Sequence, residues 1–221
     1  SLSHLSHPNI ARLVDSGQFT DGTPFLISEY VDALSVNDIL SIHGQFDPAR
    51  TARIIRQAAN ALNEAHQEGI LHRDIRPENI IVDASGESEH ITVVNFGSSD
   101  GALTPHNFAY RAPEVLDGRA PTAASDIFSL GAVAFQMLTG RMPFPGHTVK
   151  EIMRAQANGP VVNASDTRPD LPQSVDAVFD KALAFNAGNR FLKARELGDT
   201  LANALASGGQ IVTPPDDPTT G

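Results

Sequence analysis

Short apolar runs separated by turn residues dominate the early part of the chain. Residues 7–18 (HPNIARLVDSGQ) and 23–31 (TPFLISEYV) flank the turn-forming TDGT at 20–23, which predicts a β-hairpin. Two β-branched runs, residues 80–83 and 91–94, bracket the polar segment ASGESEH and predict a second small hairpin. The pattern therefore places strands in the first half of the chain.

A long helix is predicted between the two hairpins. Asp47 supplies an N-cap acceptor and Pro48 suits the first helical turn. Gly69 is expected to end the helix. The apolar positions that recur at helical spacing are Ile55, Ala58, Leu62 and Ala65.

Helical periodicity takes over after an irregular stretch from residue 98 to 119. Residues 125–139 are apolar on nearly every side, which predicts a buried central helix that ends at Gly140. Thr148 and Glu151 have capping-box spacing and predict the start of another helix. Two amphipathic helices follow, with apolar positions Val175, Val178, Phe179, Ala182 and Leu183, then Leu197, Leu201 and Leu205. No internal repeat is visible, and a few strands followed by a helical body indicate an α+β fold.

Composition excludes several functional classes. The 221 residues suffice for one large domain or two modest ones, and a hydrophobic content of 41% suffices for a core. A formal charge of −10 argues against nucleic acid or an anionic membrane as partner, because a surplus of Lys and Arg is missing. The absence of cysteine excludes disulfides, a thiolate nucleophile and the usual thiolate zinc site, and fits a cytoplasmic protein. The longest apolar segment, 130–138, is far too short to span a membrane.

The two ends suggest a piece of a longer protein. The chain begins with Ser1 rather than Met, and no charged-then-apolar leader follows it. Residues 207–221 (SGGQIVTPPDDPTTG) are rich in Pro, Gly, Thr and Asp, and are predicted to form a disordered linker.

Residues 71–82, LHRDIRPENIIV, carry the candidate chemistry. Their apolar end predicts a strand, so the ionisable side chains before it would lie in a loop held rigidly at the mouth of that strand. The segment resembles the catalytic loop of protein kinases, in which H-R-D is followed by four residues and then N. His72, Arg73, Asp74 and Asn79 match that pattern at the required spacing.

Other protein kinase elements occur in the expected order. These are the αC-to-hinge stretches HPNIARLVDSG and LISEYV, Asn95-Phe96-Gly97 in place of D-F-G, Ala112-Pro113-Glu114 as A-P-E, Ser125 to Gly131 as the start of the central helix, and Asn189-Arg190-Phe191 around a late arginine. The resemblance extends from Ser1 to about Ser207. Arg76-Pro77-Glu78 favours the serine/threonine branch, in the style of bacterial kinases.

The resemblance implies ATP and Mg²⁺ as cofactors, and a protein substrate or partner. Asp74 would orient the substrate hydroxyl, and Arg76 would stand near the transferring phosphate. Asn79 and Asn95 would offer oxygen ligands to the metal, since hard cations prefer oxygen. The adenine would contact residues near the hinge and on the following strand, namely Glu29, Val31 and Ile81, with Ser28 as a small gatekeeper.

The same resemblance assigns structural roles. Glu114 and Arg190 would form a buried ion pair, and Asp126 would hold the catalytic-loop backbone. A hydrophobic column would comprise Leu2, Leu13, His72 and Phe96. His72 is structural whether it is read as an ordinary core histidine or as a kinase residue. Arg73 would face an activation loop, although an isolated arginine is also compatible with a solvated charge. Ser98, Ser99 and Thr104 are read as plain loop hydroxyls.

The sequence also departs from the kinase pattern. Asn95 replaces the D-F-G aspartate, and a unit charge beside a cation is worth several kcal/mol, or roughly 10³-fold in rate. Arg76 replaces the usual lysine and changes the fit to phosphate. His106 and Asn107 stand where a Gly-Thr pair commonly supports substrate docking, which puts peptide binding in question.

The N-terminal part lacks further kinase elements. No G-x-G-x-x-G loop is present and the first lysine is Lys150. Either the chain was cut within αC from a full kinase domain, or the parent lacks a standard N-lobe. The cut is favoured, because strands without their partners would expose unpaired edges. The expected division is residues 1–31 as the end of the N-lobe, 32–206 as the C-lobe and 207–221 as linker. Two hypotheses stand: a pseudokinase with impaired or lost phosphoryl transfer that binds nucleotide or a partner, and an active ATP-dependent Ser/Thr kinase once the N-lobe is present. The chain alone is expected to be inactive.

Overall fold

A small β region precedes a mainly helical body. The computed structural model describes residues 5–86, 88–97, 107–160 and 162–207. The strands are β1 (Leu13–Gln18), β2 (Pro24–Ser28), β3 (Leu34–Ser35), β4 (Ile80–Asp83) and β5 (His90–Val93). The helices are α1 (Val36–His43), α2 (Pro48–Gln67), α3 (Pro113–Leu116), α4 (Ala123–Thr139), α5 (Val149–Ala157), α6 (Ala164–Thr167), α7 (Ser174–Ala182) and α8 (Ala194–Ala206). The predicted α+β fold class is confirmed.

Both predicted hairpins form. Strands β1 and β2 pair antiparallel with an irregularity between Leu13 and Asp15, and β4 pairs antiparallel with β5. The short strand β3, which the sequence pattern missed, adds to β4 and gives the order β3-β4-β5. Ile10 forms a parallel bridge with Val93, so the segment before β1 is tied to this second sheet.

The central helices begin and end close to the predicted positions. The Asp47 carboxylate accepts a hydrogen bond from the Arg50 amide at 2.9 Å, which caps α2. Helix α2 ends at Gln67, shortly before Gly69. Helix α4 starts two residues earlier than predicted and ends at Gly140, whose φ of 69° is the left-handed geometry that glycine adopts without strain. Helix α8 packs on α2 through Gly198, where an added Cβ would lie 2.8 Å from the Ala59 Cβ.

Three local predictions need correction. Helices α1 and α6 were missed, and the region predicted to be irregular contains α3 and a 3₁₀ turn at Phe108–Tyr110. The Thr148 hydroxyl does accept from the Glu151 amide at 3.2 Å. However, the Glu151 carboxylate accepts from the His147 amide at 2.8 Å, whereas a capping box requires the amide of Thr148 as the donor.

The core lies where helices α2, α4, α7 and α8 meet, and all eight apolar positions predicted for the last two helices are buried. No helix within the described ranges has the length and apolar character needed to cross a bilayer. The predicted linker beyond Ser207, Leu2 of the hydrophobic column, and Ser98, Ser99 and Thr104 lie outside the described residues.

Candidate active site

The backbone of the 72–79 loop is fixed from the start of α4. Asp126, which is 2% exposed, accepts hydrogen bonds from the His72 amide and the Arg73 amide, each at 2.9 Å. Its Oδ2 also lies 2.9 Å from His66 Nε2 in the last turn of α2. Arg73 has a φ of 73°, a conformation that a non-glycine residue keeps only when its surroundings hold it. The hydrogen bonds to Asp126 help to keep Arg73 in this conformation, in agreement with the predicted role of Asp126 in fixing the loop backbone.

His72 is a buried structural residue. Its Nδ1 accepts from the Asp74 amide at 3.2 Å, so the proton is on Nε2, which donates to the Val94 carbonyl at 2.9 Å. The ring also contacts Phe96, with centroids 4.6 Å apart, so these two members of the predicted hydrophobic column do meet. Burial lowers the pKa of His72 below its usual value, because a second proton would be poorly solvated and would displace the Asp74 amide from Nδ1.

The Asp74 carboxylate accepts hydrogen bonds from Arg111 and Asn79 and forms an ion pair with Arg76. Its Oδ1 accepts from Arg111 Nη2 at 3.1 Å, and its Oδ2 lies 3.3 Å from both Arg76 Nε and Asn79 Nδ2. The side chain of Asp74 is 20% exposed, so solvent still reaches it. Asn79 Nδ2 also donates to the Asp74 carbonyl at 2.7 Å, which ties the end of the loop to its centre.

The two predicted metal positions contact each other. Asn95 Nδ2 donates to Asn79 Oδ1 at 2.8 Å, so the oxygen that would face a cation already accepts an amide N–H. Both side chains are neutral, and the neighbouring carboxylate of Asp74 already lies beside two guanidinium groups. Mg²⁺ prefers charged oxygen donors, so this donor set does not fit a tightly held Mg²⁺ ion. Asn95 has a φ of 65°, a left-handed conformation in which Asn is among the better tolerated residues.

A buried ion pair anchors the segment that follows. Arg190 Nη1 and Nη2 donate to the two Glu114 carboxylate oxygens at 2.7 and 2.9 Å, and the Ser125 hydroxyl donates to Oε1 at 2.7 Å. Burial alone would raise the pKa of Glu114, but these hydrogen bonds outweigh it and lower the pKa below its usual value. The predicted pair is confirmed as a bidentate contact.

The segment 107–112 lies between the 72–79 loop and the helical body. The Tyr110 hydroxyl donates to Gln136 Oε1 at 2.7 Å, and Gln156 Nε2 donates to the Arg111 carbonyl at 2.9 Å. Burial raises the pKa of Tyr110 far above its usual value, so the phenol remains a donor. Asn107, which stands in place of the expected threonine, is buried.

The predicted adenine contacts come from other elements. Glu29 follows β2 and is exposed, and its carboxylate accepts from the Arg12 amide at 2.9 Å. The Val31 carbonyl accepts from the Ala33 amide at 3.1 Å. Ile81 is half-buried in β4, opposite Ser35 and Thr92. The structure therefore brings together Asp74, Arg76, Asn79 and Asn95. The adenine contacts of Glu29, Val31 and Ile81 stay predictions from the resemblance.

Sequence reasoning missed two residues of the site. Arg111 reaches Asp74 from the segment directly before α3, and His66 contacts Asp126. Arg111 directly precedes the A-P-E motif, yet a single arginine carries no signal for a partner far away in the chain. His66 lies in the last turn of α2. Its position next to buried Ala65 was the one feature of the sequence that indicated a contact with the interior.

Comparison with known proteins identifies the family. Residues 1–197 match the profile described as the protein kinase domain, and the chain therefore belongs to the protein kinase family. Bacterial serine/threonine kinases are among the curated relatives that it matches. It is 34% identical over 214 residues to the serine/threonine-protein kinase PrkC of Bacillus subtilis, covering 93% of this chain and 32% of the relative. It is 33% identical over 207 residues to PknB of Mycolicibacterium smegmatis, covering 87% of this chain and 33% of the relative.

A solved structure supports the same assignment. The crystal structure of the Mycobacterium tuberculosis PknI kinase domain, determined as a double mutant, matches with a TM-score of 0.73 and 27% sequence identity, covering 92% of this chain and 75% of that one. The chain thus spans about a third of the length of the curated relatives. The recognition of a bacterial-type Ser/Thr kinase domain is confirmed.

Proposed function

We propose that this kinase-family domain transfers phosphate weakly or not at all, and that it acts by binding nucleotide or a protein partner. One observation carries the proposal: the two side chains at the metal positions, Asn79 and Asn95, are neutral and hydrogen bonded to each other at 2.8 Å. A missing unit charge about 4 Å from a cation, at an effective dielectric of about 20, corresponds to about 4 kcal/mol. That energy is roughly a 10³-fold loss in rate if it acts in the transition state.

Arg76 supports the proposal. Its Nε lies 3.3 Å from Asp74 Oδ2 and 3.9 Å from Glu78 Oε2, so the guanidinium is drawn toward two carboxylates of its own loop. A planar guanidinium also does not reproduce the point charge of the lysine that the family places there. Both features reduce the positive charge available to a transferring phosphate.

The alternative is an active ATP-dependent Ser/Thr kinase in the full-length protein. The observation that favours it is the intact frame of the loop: Asp126 holds the loop backbone, Asp74 is solvent-accessible, and Glu114 pairs with Arg190. In either case we place residues 1–31 at the end of an N-lobe and residues 32–206 in a C-lobe. We also propose a cytoplasmic location, where ATP is available.

The test is phosphate transfer from labelled ATP to a protein or peptide hydroxyl, measured with the full-length protein that contains this chain. We expect a signal near background in the natural sequence, and a gain on the order of 10³-fold in Asn95→Asp, because the substitution restores the missing charge. Asp74→Ala in the same background should abolish that gain.

Two other outcomes separate the hypotheses. Robust transfer by the natural sequence that Asp74→Ala removes would establish the active kinase. Silence in Asn95→Asp, together with nucleotide binding detected by thermal shift, would mean that more than one position has lost its catalytic role. The matched control is Asn158→Asp, which makes the same chemical change at an exposed position at the end of α5.

A further inference from the structure

Arg111 links the segment 107–112 to the catalytic loop. Its side chain is only 6% exposed, which is uncommon for an arginine. Its backbone carbonyl accepts from Gln156 Nε2 at 2.9 Å, and Gln156 is itself fully buried in α5. The residue is therefore fixed at its backbone by the helical body, while its guanidinium reaches the 72–79 loop.

The guanidinium contacts two consecutive residues of that loop. Nη1 donates to the Arg73 carbonyl, and Nη2 donates to Asp74 Oδ1 at 3.1 Å. The fork geometry of arginine permits this simultaneous contact with a carbonyl and a carboxylate, and a lysine ammonium cannot reproduce it.

The Arg73 peptide is consequently held on both sides. Asp126 accepts from the Arg73 amide at 2.9 Å, and Arg111 donates to the Arg73 carbonyl. Arg73 has the left-handed φ of 73°, and a residue in that region returns to the ordinary region when the contacts that hold it are removed. Such a change would rotate the peptide into Asp74 and move its carboxylate.

A purely stabilising role accounts poorly for these contacts. Arg111 Nε is buried without a hydrogen-bond partner among the described residues, so the side chain does not make all the bonds that a buried guanidinium could make. Asp74 keeps Arg76 and Asn79 as neighbours and remains 20% exposed, so it would not become an isolated buried charge if Arg111 were lost. The specific effect of Arg111 is on orientation.

We propose that Arg111 is a positioning residue that fixes the orientation of the Asp74 carboxylate. Through Arg111, this orientation depends on the position of segment 107–112. Arg111 is not a catalytic residue, because it contacts the loop and not a reacting group. A carboxylate offers about four acceptor sites, so one donor on Oδ1 leaves room for a hydroxyl group on the same oxygen. Whatever moves segment 107–112 would then also turn Asp74.

The first test is hydrogen exchange measured by mass spectrometry on the 221-residue chain. We expect Arg111→Met to speed amide exchange in residues 73–79 about tenfold, because a charge-assisted hydrogen bond is lost, with little change in α2 and α8. Arg111→Lys retains the buried charge but not the fork, and should show the same local effect at a smaller size. The matched control is Arg119→Met, since Arg119 is exposed and forms an ion pair with exposed Asp117 at 3.4 Å.

The possible results are distinct. Exchange in residues 73–79 that matches the Arg119→Met control would overturn the proposal. A uniform rise across α2, α4 and α8 would also overturn it, since it would show that Arg111 stabilises the fold without orienting the loop. If Arg111→Met does not fold, Arg111→Lys decides by the same criterion.

The second test rests on the proposed function and measures catalysis. In full-length Asn95→Asp, adding Arg111→Met should lower kcat by at least about tenfold, with the KM for ATP unchanged, because only the orientation of Asp74 is altered. A rise in the KM for ATP with unchanged kcat would contradict the proposal. If Asn95→Asp shows no transfer, the proposed rescue of function fails, and the exchange measurement still decides the role of Arg111.

Discussion

Replacing Glu114 by Gln breaks the buried ion pair while keeping nearly the same shape. The substitution puts an amide NH₂ or a neutral oxygen opposite the Arg190 fork and removes the charge from a contact with N–O distances of 2.7 and 2.9 Å. Breaking a buried pair by removing one partner costs about 3–5 kcal/mol. Arg190 would retain the backbone carbonyls of Ala124, Ala184 and Phe185 at 2.9, 2.8 and 3.2 Å, so we expect the lower end of that range.

The measurement is urea and thermal unfolding of the 221-residue chain at pH 7. A loss of about 3 kcal/mol corresponds to a decrease in Tm of roughly 6–12 °C, since 1 kcal/mol shifts Tm by about 2–4 °C at this size. The control is Asp199→Asn, which removes exposed ion pairs with Arg56 at 3.0 Å and with Arg195 at 3.4 Å and should cost at most about 1 kcal/mol. An equal effect of the two substitutions would refute the view that this buried pair stabilises the fold.

The pH dependence gives the same experiment a second check. The pKa of Glu114 is lowered in the folded state, so its contribution is fully present above its ordinary pKa of 4.5 and is lost as pH falls through the folded value. The difference in unfolding free energy between the natural sequence and Glu114→Gln should therefore shrink below pH 4.5. A difference that stays constant or grows on acidification would contradict the assigned cause.

Three further predictions concern the loop and the helix packing. Because burial lowers the pKa of His72 on folding, the unfolded state binds more protons than the folded state below pH 6.5. His72 should therefore lower the unfolding free energy by up to about 1.4 kcal/mol for each unit that the pH decreases there, and His72→Gln should remove this contribution in urea titrations. Gly198→Ala should destabilise the chain by about 1–3 kcal/mol in spite of the better helix propensity of alanine, because the new Cβ would lie 2.8 Å from the Ala59 Cβ; an increase in Tm would contradict this packing argument. Asp126→Ala should leave the His72 and Arg73 amides without their acceptor and cost about 2–4 kcal/mol in urea unfolding, and a loss below about 1 kcal/mol would show that water replaces the carboxylate easily.

Local signals were sufficient for much of this fold. Asp47 with Pro48 marked the start of α2, and Gly140 marked the end of α4, because capping chemistry is determined by a few neighbouring residues. Strand β3 was missed because a two-residue strand has no periodicity and forms only by pairing with β4. The short helices α3 and α6 are likewise too brief for a hydrophobic pattern to appear.

The candidate site shows the same division. The order and spacing of the kinase motifs led to Asp74, Asn79 and Asn95, which the structure joins by hydrogen bonds. They also led to the Glu114–Arg190 pair, which forms separately. Arg111 was missed because its contact with Asp74 joins residues 37 positions apart. The direction of the Asn95 amide toward Asn79 was also beyond the sequence, since it depends on the left-handed turn that presents the side chain.

The left-handed backbone at Asn95 has a consequence for how such a domain changes over generations. At a φ of 65°, Asn and Asp are both tolerated, so the backbone conformation does not favour one over the other. Their codons differ by a single base. One mutational step can therefore exchange a neutral for a charged side chain at this predicted metal position without a change of backbone conformation.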